Sequence, residues 1–554
     1  MLRPPFGFAP SRALLLLTLV CATASGCALV LGLDDYDDQA PGEGGGGTGG
    51  AGGGEPVSCT PGVEEACYAG PEGTQDVGLC KGGTHVCNES GDAWGSCEGE
   101  VLPAVELCAE SEDENCDTRE CIVWATAFAQ EGRFEVYGIT SDRDGHILVT
   151  GMFDGTITVG AQTFSAAGAT DGMLIKLEPT GEVMWAKKIG DVDQDFLAAV
   201  ATDEGGNIYI GGRTLTGINL GDGTIAPGVY AAKLDPEGGY LWSTSLGGNG
   251  GFADIAIDSI GNVVAVGFFS GLLNWGEGPV PAAGGKDILV AKFDSETGSL
   301  AGTDGGWVRT VGDAEDQVAN AVALDASDNV FVVGDFKGQI DIGGSDGQAT
   351  AFGTDEYDGF LAKFTPGGNG SWLFGVMGNL EQHVYDVAVD SQGQPFIVGE
   401  YEGMVETDPY VLISQGGKDA FLMHVGASGN VLWVDSFGES GDQLARTVAL
   451  DGEGNILLGG YAEEAIDLGG GPLTVAGVIG SYVAKLAPVG TGTYLWSRLL
   501  SGEDQSGVFA IAVSPEQETL TANISEAPNP DFGTGPLGAS PGATSRLVIA
   551  KLGK

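Results

Sequence analysis

Seven copies of one repeating unit, each with four strand-like segments, predict an all-β fold: a seven-bladed β-propeller with four-stranded blades. Tryptophan recurs at intervals of 57 to 65 residues along this region, and an Asp-rich turn and a strand carrying Lys or His recur between successive tryptophans. No helical periodicity of useful length appears after Cys121. The recurring tryptophans are Trp124, Trp185, Trp242, Trp307, Trp372, Trp433 and Trp496.

Each unit contains four segments with the alternation of β-strands. In the fourth unit, VALD is followed by a turn and NVFVVG, then by DGFLAKF and, after a short turn, by the strand of Trp372. Asp and Gly at these turns are residues that hairpins favour, so we interpret the recurring aspartates as turn caps and not as catalytic groups. They are Asp142, Asp203, Asp258, Asp325, Asp390 and Asp451, with Ser514 in the seventh copy. The third strand carries Lys176, Lys233, Lys292, Lys363, His424, Lys485 and Lys551.

The two ends of the repeat region are incomplete in complementary ways. The last unit ends at Lys554 without a tryptophan strand, and the first begins with an additional one, CIVWATAFA, at residues 121–129. We expect this strand to become the outer strand of the last blade and so close the ring. The recurring tryptophans are expected to pack between adjacent blades.

Residues 122–554 resemble the SBBP-type seven-bladed β-propeller repeat family of secreted bacterial proteins. The resemblance rests on D-x-x-G-N, on F-x-G-x-[IV]-x-[IL]-G and on the hairpin that joins the Lys or His strand to the tryptophan strand. It implies the fold and leaves the activity open, because propellers serve binding, scaffolding and catalysis alike. Quinoprotein propellers have repeats similar to AKLDPEGGYLW at 232–242, but no cofactor-binding set can be matched here.

The N-terminus has the pattern of an export signal. Arg3 and Arg12 precede an apolar run at 13–24 that is too short to span a bilayer. The following ASGC resembles the lipobox of bacterial lipoproteins, which implies a signal peptide at 1–26 and lipidation of Cys27. Ala28 then favours the outer membrane or cell surface over the inner membrane. The alternative is ordinary cleavage after an Ala-x-Ala-like site, which would release a secreted protein.

Two segments separate this signal from the repeats. Residues 27–56 form a Gly-rich, flexible linker with no means of building a core. Residues 57–121 form a Cys-rich module, and an even number of cysteines in an exported protein predicts disulfides, here four, whose pairing the sequence does not decide. Their spacings differ from those of zinc sites. The eight are Cys59, Cys67, Cys80, Cys87, Cys97, Cys108, Cys116 and Cys121.

Composition and motifs favour a binding protein over an enzyme. With 23 basic and 77 acidic residues, the formal charge of -54 repels phosphate backbones, so no nucleic-acid partner is expected. No G-x-S-x-G elbow occurs, and we assign no catalytic or cofactor-binding residue. We expect an envelope lipoprotein whose propeller is a binding or scaffold module for a protein or glycan. The alternative is a propeller enzyme of quinoprotein or lyase type, which a cluster of His, Arg and carboxylates in the central channel would favour.

The loops between each tryptophan strand and the next inner strand are alike and are expected to gather on one face. GDVDQD, GDAEDQ, GNLEQH, GESGDQ and GEDQ all carry carboxylates beside amides. Asp191, Asp193 and Asp195 have the spacing used by loops that bind hard cations, so Ca²⁺ is a candidate cofactor. The competing interpretation is that Asp and Gln satisfy loop backbone groups.

Overall fold

The computed structural model describes most of the chain after residue 58 and contains strands and turns but no helix in the part described. Accordingly, no helix of the described residues is long and apolar enough to cross a membrane. Cys27, the signal peptide and the linker lie outside the described residues, and the proposed domain boundaries stay predictions. The described residues are 59–70, 74–103, 121–220, 223–300, 306–343, 350–353, 356–488, 492–501, 506–527, 530–532, 537 and 545–554.

The Cys-rich segment forms a small antiparallel pair, β1 (Glu64–Cys67) and β2 (Gly83–Val86). Disulfides join Cys59 to Cys87 and Cys67 to Cys97, each with a Cα–Cα distance of 5.8 Å. Cys80 and Cys121 are disulfide-bonded as well. Cys108 and Cys116 lie outside the described residues. The expected disulfide framework is therefore confirmed for these two pairs.

The described residues from 122 onward form seven blades, as the repeats predict. The chain enters through β3 (Ile122–Glu131). Blade 1 contains β4 (Phe134–Ser141), β5 (Ile147–Phe153), β6 (Thr156–Val159), β7 (Gln162–Ser165), β8 (Asp171–Leu177) and β9 (Val183–Ile189). Blade 2 contains β10 (Phe196–Thr202), β11 (Ile208–Thr214), β12 (Ile218–Asn219), β13 (Thr224–Ile225), β14 (Gly228–Leu234) and β15 (Tyr240–Ser245). Blade 3 contains β16 (Gly247–Ile257), β17 (Val263–Leu273), β18 (Val280–Pro281), β19 (Asp287–Phe293) and β20 (Trp307–Val311).

The remaining four blades follow the same order. Blade 4 contains β21 (Gln317–Leu324), β22 (Val330–Phe336), β23 (Gln339–Asp341), β24 (Thr350–Phe352), β25 (Asp358–Phe364) and β26 (Gly370–Val376). Blade 5 contains β27 (Gln382–Val389), β28 (Pro395–Tyr401), β29 (Met404–Thr407), β30 (Tyr410–Ile413), β31 (Asp419–Val425) and β32 (Val431–Phe437). Blade 6 contains β33 (Gln443–Leu450), β34 (Ile456–Ala462), β35 (Ala465–Asp467), β36 (Pro472–Thr474), β37 (Gly480–Ala487) and β38 (Thr493–Ser501). Blade 7 contains β39 (Ser506–Val513), β40 (Thr519–Ser525) and β41 (Ser545–Leu552).

The ring closes through a shared blade. β3 pairs antiparallel with β41, so the sheet order in blade 7 is β39, β40, β41, β3, from the innermost strand outward. The first strand of the repeat region thus completes the last blade, and the prediction of closure by CIVWATAFA is confirmed. The innermost strands β39 and β4 also contact each other across the junction.

The hydrophobic core lies between adjacent blades, and each tryptophan of the outer strands contributes to it. The indole Nε1 of Trp307 in blade 3 donates to the carbonyl of Pro366 in blade 4 (3.0 Å). Gly368 in the same turn has φ +75°, and a Cβ there would lie 2.6 Å from the Trp307 ring. Equivalent indole-to-turn hydrogen bonds start from Trp124, Trp242 and Trp372.

Short extra strands between the second and third strand of most blades are the main feature that the sequence prediction left out. Within the described residues, five blades carry a two-stranded hairpin there, with strands of two to four residues, and in blade 3 β18 pairs with β17 instead. Strands this short show too few alternating residues to be recognised from the pattern.

Candidate binding site in the central cavity

The two faces of the ring are built differently. The turns that join strand one to strand two and strand three to strand four lie on one face, which we call the turn face. The longer connections lie on the opposite face, which we call the loop face. On the turn face each recurring aspartate caps its own turn: in blade 4, Asp325 Oδ1 accepts hydrogen bonds from the backbone N–H of Ser327 and Asn329. The interpretation as turn caps is confirmed for the described turns.

The same carboxylates also bind the recurring basic residues of the third strand, a link that the sequence analysis did not make. In blade 3, Lys292 Nζ lies 2.7 Å from Asp258 Oδ2, and both side chains are buried. Blade 7 replaces Asp by Ser514, yet Lys551 finds the carboxylate of Glu518, four residues later, at 2.5 Å. Ion pairs of this kind join Lys176–Asp142, Lys233–Asp203, Lys363–Asp325 and Lys485–Asp451 at 2.9 to 3.5 Å.

One turn of this type also forms the group of possible metal ligands found among the described residues. Asp142, Asp144 and His146 have potential ligand atoms within 4.8 Å of one another. However, His146 occupies the position that is Asn in four other copies, and its Nδ1 bonds to Asp142 Oδ2 (2.9 Å) much as Asn207 Nδ2 bonds to Asp203. Lys176 Nζ lies 3.1 Å from the same Asp142 oxygen. The group is thus a capped turn.

On the loop face, Asp191, Asp193 and Asp195 do not form such a group of mutually close ligand atoms. Asp195 is buried, and its Oδ2 accepts the backbone N–H of Asp191 (2.7 Å). Gln317 accepts the N–H of Asp313, and Gln443 that of Glu439, in the corresponding loops (both 3.1 Å). Asp195 therefore accepts the same loop backbone N–H that Gln317 and Gln443 accept in their blades. The last predicted loop, at 502–505, lies outside the described residues.

Every innermost strand carries a β-bulge at the same repeat position, five residues before the turn-capping residue. A bulge leaves one residue out of the ladder and redirects its side chain. All seven bulged residues line one cavity of about 250 Å³ around the axis of the ring, towards the loop face. They are Tyr137, Ala198, Ala253, Asn320, Tyr385, Arg446 and Phe509.

Aromatic side chains form one part of the cavity wall. Tyr137, Phe196, Phe268 and Phe509 line it from blades 1, 2, 3 and 7. Tyr137 meets Phe196 edge to face, with ring centroids 5.9 Å apart. Its hydroxyl donates to Glu135, which also pairs with Arg133. This part of the wall is therefore apolar. The polar groups next to it, the Tyr137 hydroxyl and the Glu135 carboxylate, bind to each other and to Arg133.

Tyr385 lines the cavity from blade 5, and a group of paired charges from blades 4 and 5 lies next to it. His383 Nδ1 lies 3.2 Å from Asp335 and its Nε2 lies 3.8 Å from Glu381. Lys418 contacts Glu400 at 2.8 Å and Glu381 at 3.6 Å. The Tyr385 hydroxyl donates to Glu400 (3.0 Å).

These pairings determine the protonation of His383. Burial alone would lower the pKa of this imidazole, but the negative charges of Asp335 and Glu381 outweigh burial and raise the pKa to about 10. His383 is therefore a cation at neutral pH, with both ring nitrogens facing carboxylates. It is unsuited to act as a general base, which must be able to accept a proton.

Two acidic side chains lie deeper in the cavity. Asp254 accepts the N–H groups of Ile255 and Val322, and Asp386 accepts those of Val387 and Val448 together with the Thr447 hydroxyl. Burial raises the pKa of Asp254 to about 7 and that of Asp386 to about 6. Each carboxylate links the innermost strand of its own blade to that of the following blade.

Sequence reasoning missed these cavity residues because it searched for positions that recur. Tyr, Ala, Asn, Arg and Phe all occupy the bulge position in different copies. The available signal was this divergence at a single position of an otherwise regular repeat.

No protein-family model matches this chain. It is similar to an uncharacterised WD repeat-containing protein of Acanthamoeba polyphaga mimivirus, at 22% identity over 457 residues, covering 65% of this chain and 33% of the relative. The chain thus spans about a third of the length of that relative.

Among solved structures, the Pan2 WD40 domain of Neurospora crassa aligns at 8% identity and TM-score 0.37, covering 78% of this chain and 97% of that domain. The apocarotenoid oxygenase of Synechocystis aligns at 10% identity and TM-score 0.37, covering 78% and 93%. A gluconolactonase of Xanthomonas campestris aligns at 10% and 0.30, covering 61% and 87%. Likenesses this weak say nothing about binding or catalysis here. The blades themselves establish a seven-bladed β-propeller built from internal repeats.

Proposed function

We propose that this protein is a cell-envelope lipoprotein whose propeller is a binding module, with the central cavity as its recognition site. One observation carries the proposal: all seven bulges direct their side chains, of five different residue types, into a single cavity. Bulges of this kind re-aim side chains beside functional sites. The turn face, in contrast, repeats the same contacts from blade to blade.

The side chains of the cavity favour binding over catalysis. His383 holds its proton between two carboxylates, and the other described histidines lie elsewhere: His85 in the Cys-rich segment, His146 in a turn and His424 in a buried stack on Phe396. Arg446, Asp254 and Asp386 line the cavity and His383 lies beside it, but the acids are paired with cations or hydrogen-bond donors. Such a set can position a ligand without supplying a base.

Attachment to the envelope follows from the lipobox-like sequence before Cys27. A diacylated Cys27 would hold the propeller at a membrane through the Gly-rich linker. Cys27→Ala should move the full-length protein from the membrane fraction to the soluble fraction. Unchanged fractionation would remove the anchor from the proposal and leave the cavity unaffected.

Blocking the cavity tests the binding function directly. Ala253 is a half-buried bulge residue of the wall, so Ala253→Trp should fill part of the cavity with an indole ring. Leu241→Trp, on outer strand β15 and 48% exposed, is the matched control. We expect saturable binding of the purified full-length protein to envelope preparations of its source organism, weakened at least about tenfold by Ala253→Trp and unchanged by Leu241→Trp.

Two outcomes would contradict the proposal. If the wild-type protein shows no saturable binding, the propeller is not a binding module for envelope components. If Ala253→Trp folds and binds as the wild type does, the ligand is recognised elsewhere on the ring. Circular dichroism and thermal melting establish whether the variant is folded.

A further inference from the structure

The charged side chains in and beside the central cavity have ion-pair or hydrogen-bond partners, with one exception among the described residues. Glu135 is paired with Arg133, Asp335 with His383, and Glu400 with Lys418. Arg213, near Phe196, donates to the amide oxygens of Gln194 and Asn249. No hydrogen-bond acceptor or carboxylate of the described residues pairs with the guanidinium of Arg446, whose recorded contact is with the Tyr385 ring, 4.6 Å from the ring centroid.

Arg446 is also placed to reach a ligand in the cavity. It is the bulged residue of β33, and it is only partly buried. Its charge acts on both sides of the ring. Burial raises the pKa of Tyr137 in blade 1, and the positive charge of Arg446 opposes that rise. Burial also raises the pKa of Asp386 in blade 5, and Arg446 again opposes the rise.

We propose that Arg446 binds the carboxylate of a ligand and that the aromatic side chains of the cavity take an aromatic group attached to that carboxylate. The inference rests on the proposed function, since it names the ligand chemistry of the same cavity. Two sources share this chemistry: a free aryl carboxylic acid and the C-terminal aromatic residue of a peptide.

A guanidinium without a partner is suited to a carboxylate because its planar fork can donate two parallel hydrogen bonds to the two oxygens. A phosphate group would bring more negative charge close to Asp386 and Glu400, so a singly charged anion fits better. The Arg446 guanidinium carbon lies over the Tyr385 ring, and no acceptor among the described residues takes up its N–H groups. Asp254 and Asp386 already accept backbone N–H groups, so they do not compete for the fork.

The rest of the cavity suits an aromatic group. Tyr137, Phe196, Phe268, Tyr385 and Phe509 surround it, and aromatic rings prefer offset or edge-to-face contacts with such side chains. A volume of about 250 Å³ lies just below the usual range for small-molecule pockets. One ring with a short acidic arm therefore fits better than a large cofactor.

The test compares probes of similar shape and different charge on the full-length protein. Phenylacetate carries the carboxylate, 2-phenylethylamine replaces it by a cation, and 2-phenylethanol is neutral. N-acetyl-Gly-Gly-Phe and its C-terminal amide form a second pair that presents the same chemistry at the end of a peptide. Ligand-observed saturation-transfer NMR followed by titration measures each affinity. We expect at least one carboxylate to bind, and its amine, alcohol or amide counterpart to bind at least about tenfold more weakly.

Arg446→Gln removes the charge and the fork while keeping a polar side chain. We expect it to weaken carboxylate binding about ten- to hundredfold, and Arg446→Lys to give an intermediate loss because a point charge cannot donate bidentately. Arg143→Gln removes one positive charge from an exposed turn on the opposite face and should change nothing.

The outcomes separate this inference from the proposed function. If no carboxylate probe binds, or if Arg446→Gln binds it as the wild type does, the inference is overturned. Envelope binding that is lost in Ala253→Trp would in that case still support the cavity as a site, with a different ligand chemistry. Binding of the peptide acid but not of phenylacetate supports the inference and identifies a peptide C-terminus as the source.

Discussion

The turn face and the loop face of this ring are made from the same seven repeats, yet they differ in what varies. On the turn face, a carboxylate caps a tight turn and faces the basic residue of the third strand in nearly every blade. When blade 7 loses the aspartate, Glu518 supplies a carboxylate for Lys551. On the loop face, the bulge position changes from Tyr to Ala, Asn, Arg and Phe. The contacts that hold the ring together recur from blade to blade, whereas the positions that vary in residue type line the cavity.

This difference can be measured as a difference in stability. Residues of the turn face are expected to be costly to change because they hold buried charges and tight turns. Arg446 in the cavity is expected to be inexpensive to change, because no hydrogen bond or ion pair of the described residues depends on its guanidinium.

The largest effect is expected from breaking one buried ion pair on the turn face. Lys292→Met leaves the Asp258 carboxylate, 1% exposed in its side chain, without its cation. Removing one partner of a buried pair usually costs about 3–5 kcal/mol, because the remaining charge stays desolvated. Arg446→Gln, which removes a cation with no described anionic partner, should cost less than about 0.5 kcal/mol. Chemical denaturation of both variants measures the contrast.

A double variant shows whether the cost belongs to the pair. Asp258→Asn keeps most of the turn-capping hydrogen bonds and removes the charge that Lys292→Met leaves unpaired. The double variant should therefore be more stable than the sum of the two single effects implies. Strictly additive effects, or a Lys292→Met variant as stable as Arg446→Gln, would show that the turn-face pair does not hold the blade.

An intermediate effect is expected where the turn face meets the tryptophan of the preceding blade. Gly368→Ala would place a Cβ 2.6 Å from the Trp307 ring at a φ of +75°. Gly454→Ala meets the same backbone strain, with φ +83°, but its Cβ has no atom within 4 Å. The strain costs about 1–2 kcal/mol in both, and the clash adds about 1–3 kcal/mol in Gly368→Ala alone. Thermal melting compares the stability of the two variants. Equal losses of stability would mean that the Trp307 ring moves aside without destabilising the protein.

The fold could be predicted because the interactions that define it recur. The spacing of the tryptophans from Trp124 to Trp496 predicted seven blades. The additional strand before residue 130 predicted that the ring closes at blade 7, and β3 pairs with β41 there. The pairing of Lys292 with Asp258 was not predicted, although both positions were recognised as recurrent. Asp258 lies in the turn between β16 and β17, Lys292 lies on β19, and the sequence leaves the register of β17 and β19 open. The register places them together on the turn face.

The cavity could not be predicted in the same way. A bulge depends on backbone geometry that no single residue type marks: Gly138, Asp386 and Thr447 all follow bulged residues. The spacing of Asp191, Asp193 and Asp195 predicted a cation-binding loop. The contacts that Asp195 makes, however, depend on its burial beneath its own loop. Calcium binding by this loop stays a prediction. In a repeat protein the copies can be aligned with one another. A position at which the residue type differs among otherwise similar copies is a candidate for a binding site.

The smallest predicted effect concerns the copy of the turn-face pair that departs from the rule. His424 takes the place of lysine in blade 5, its ring stacked on Phe396 with centroids 4.0 Å apart and its Nε2 at 3.9 Å from Asp390 Oδ2. Burial lowers the pKa of His424, and Asp390 opposes that effect. The folded protein therefore holds this ring neutral at pH values where an unfolded histidine, with a pKa of about 6.5, takes up a proton. The stability that depends on neutral His424 is present above pH 6.5 and is lost as the pH falls below that value.

His424→Lys should remove this dependence, because lysine stays charged over the whole range and can pair with Asp390 as Lys485 pairs with Asp451. Between pH 7 and pH 5 the wild type should lose up to about 1 kcal/mol more stability than the variant. The other histidines and the buried carboxylates are common to both proteins, so their contributions cancel in the difference. Urea unfolding at pH 5, 6 and 7 measures the two slopes. Parallel slopes would show that His424 takes up its proton in the folded blade as readily as in the unfolded chain, and that the fifth turn-face pair behaves like the other six.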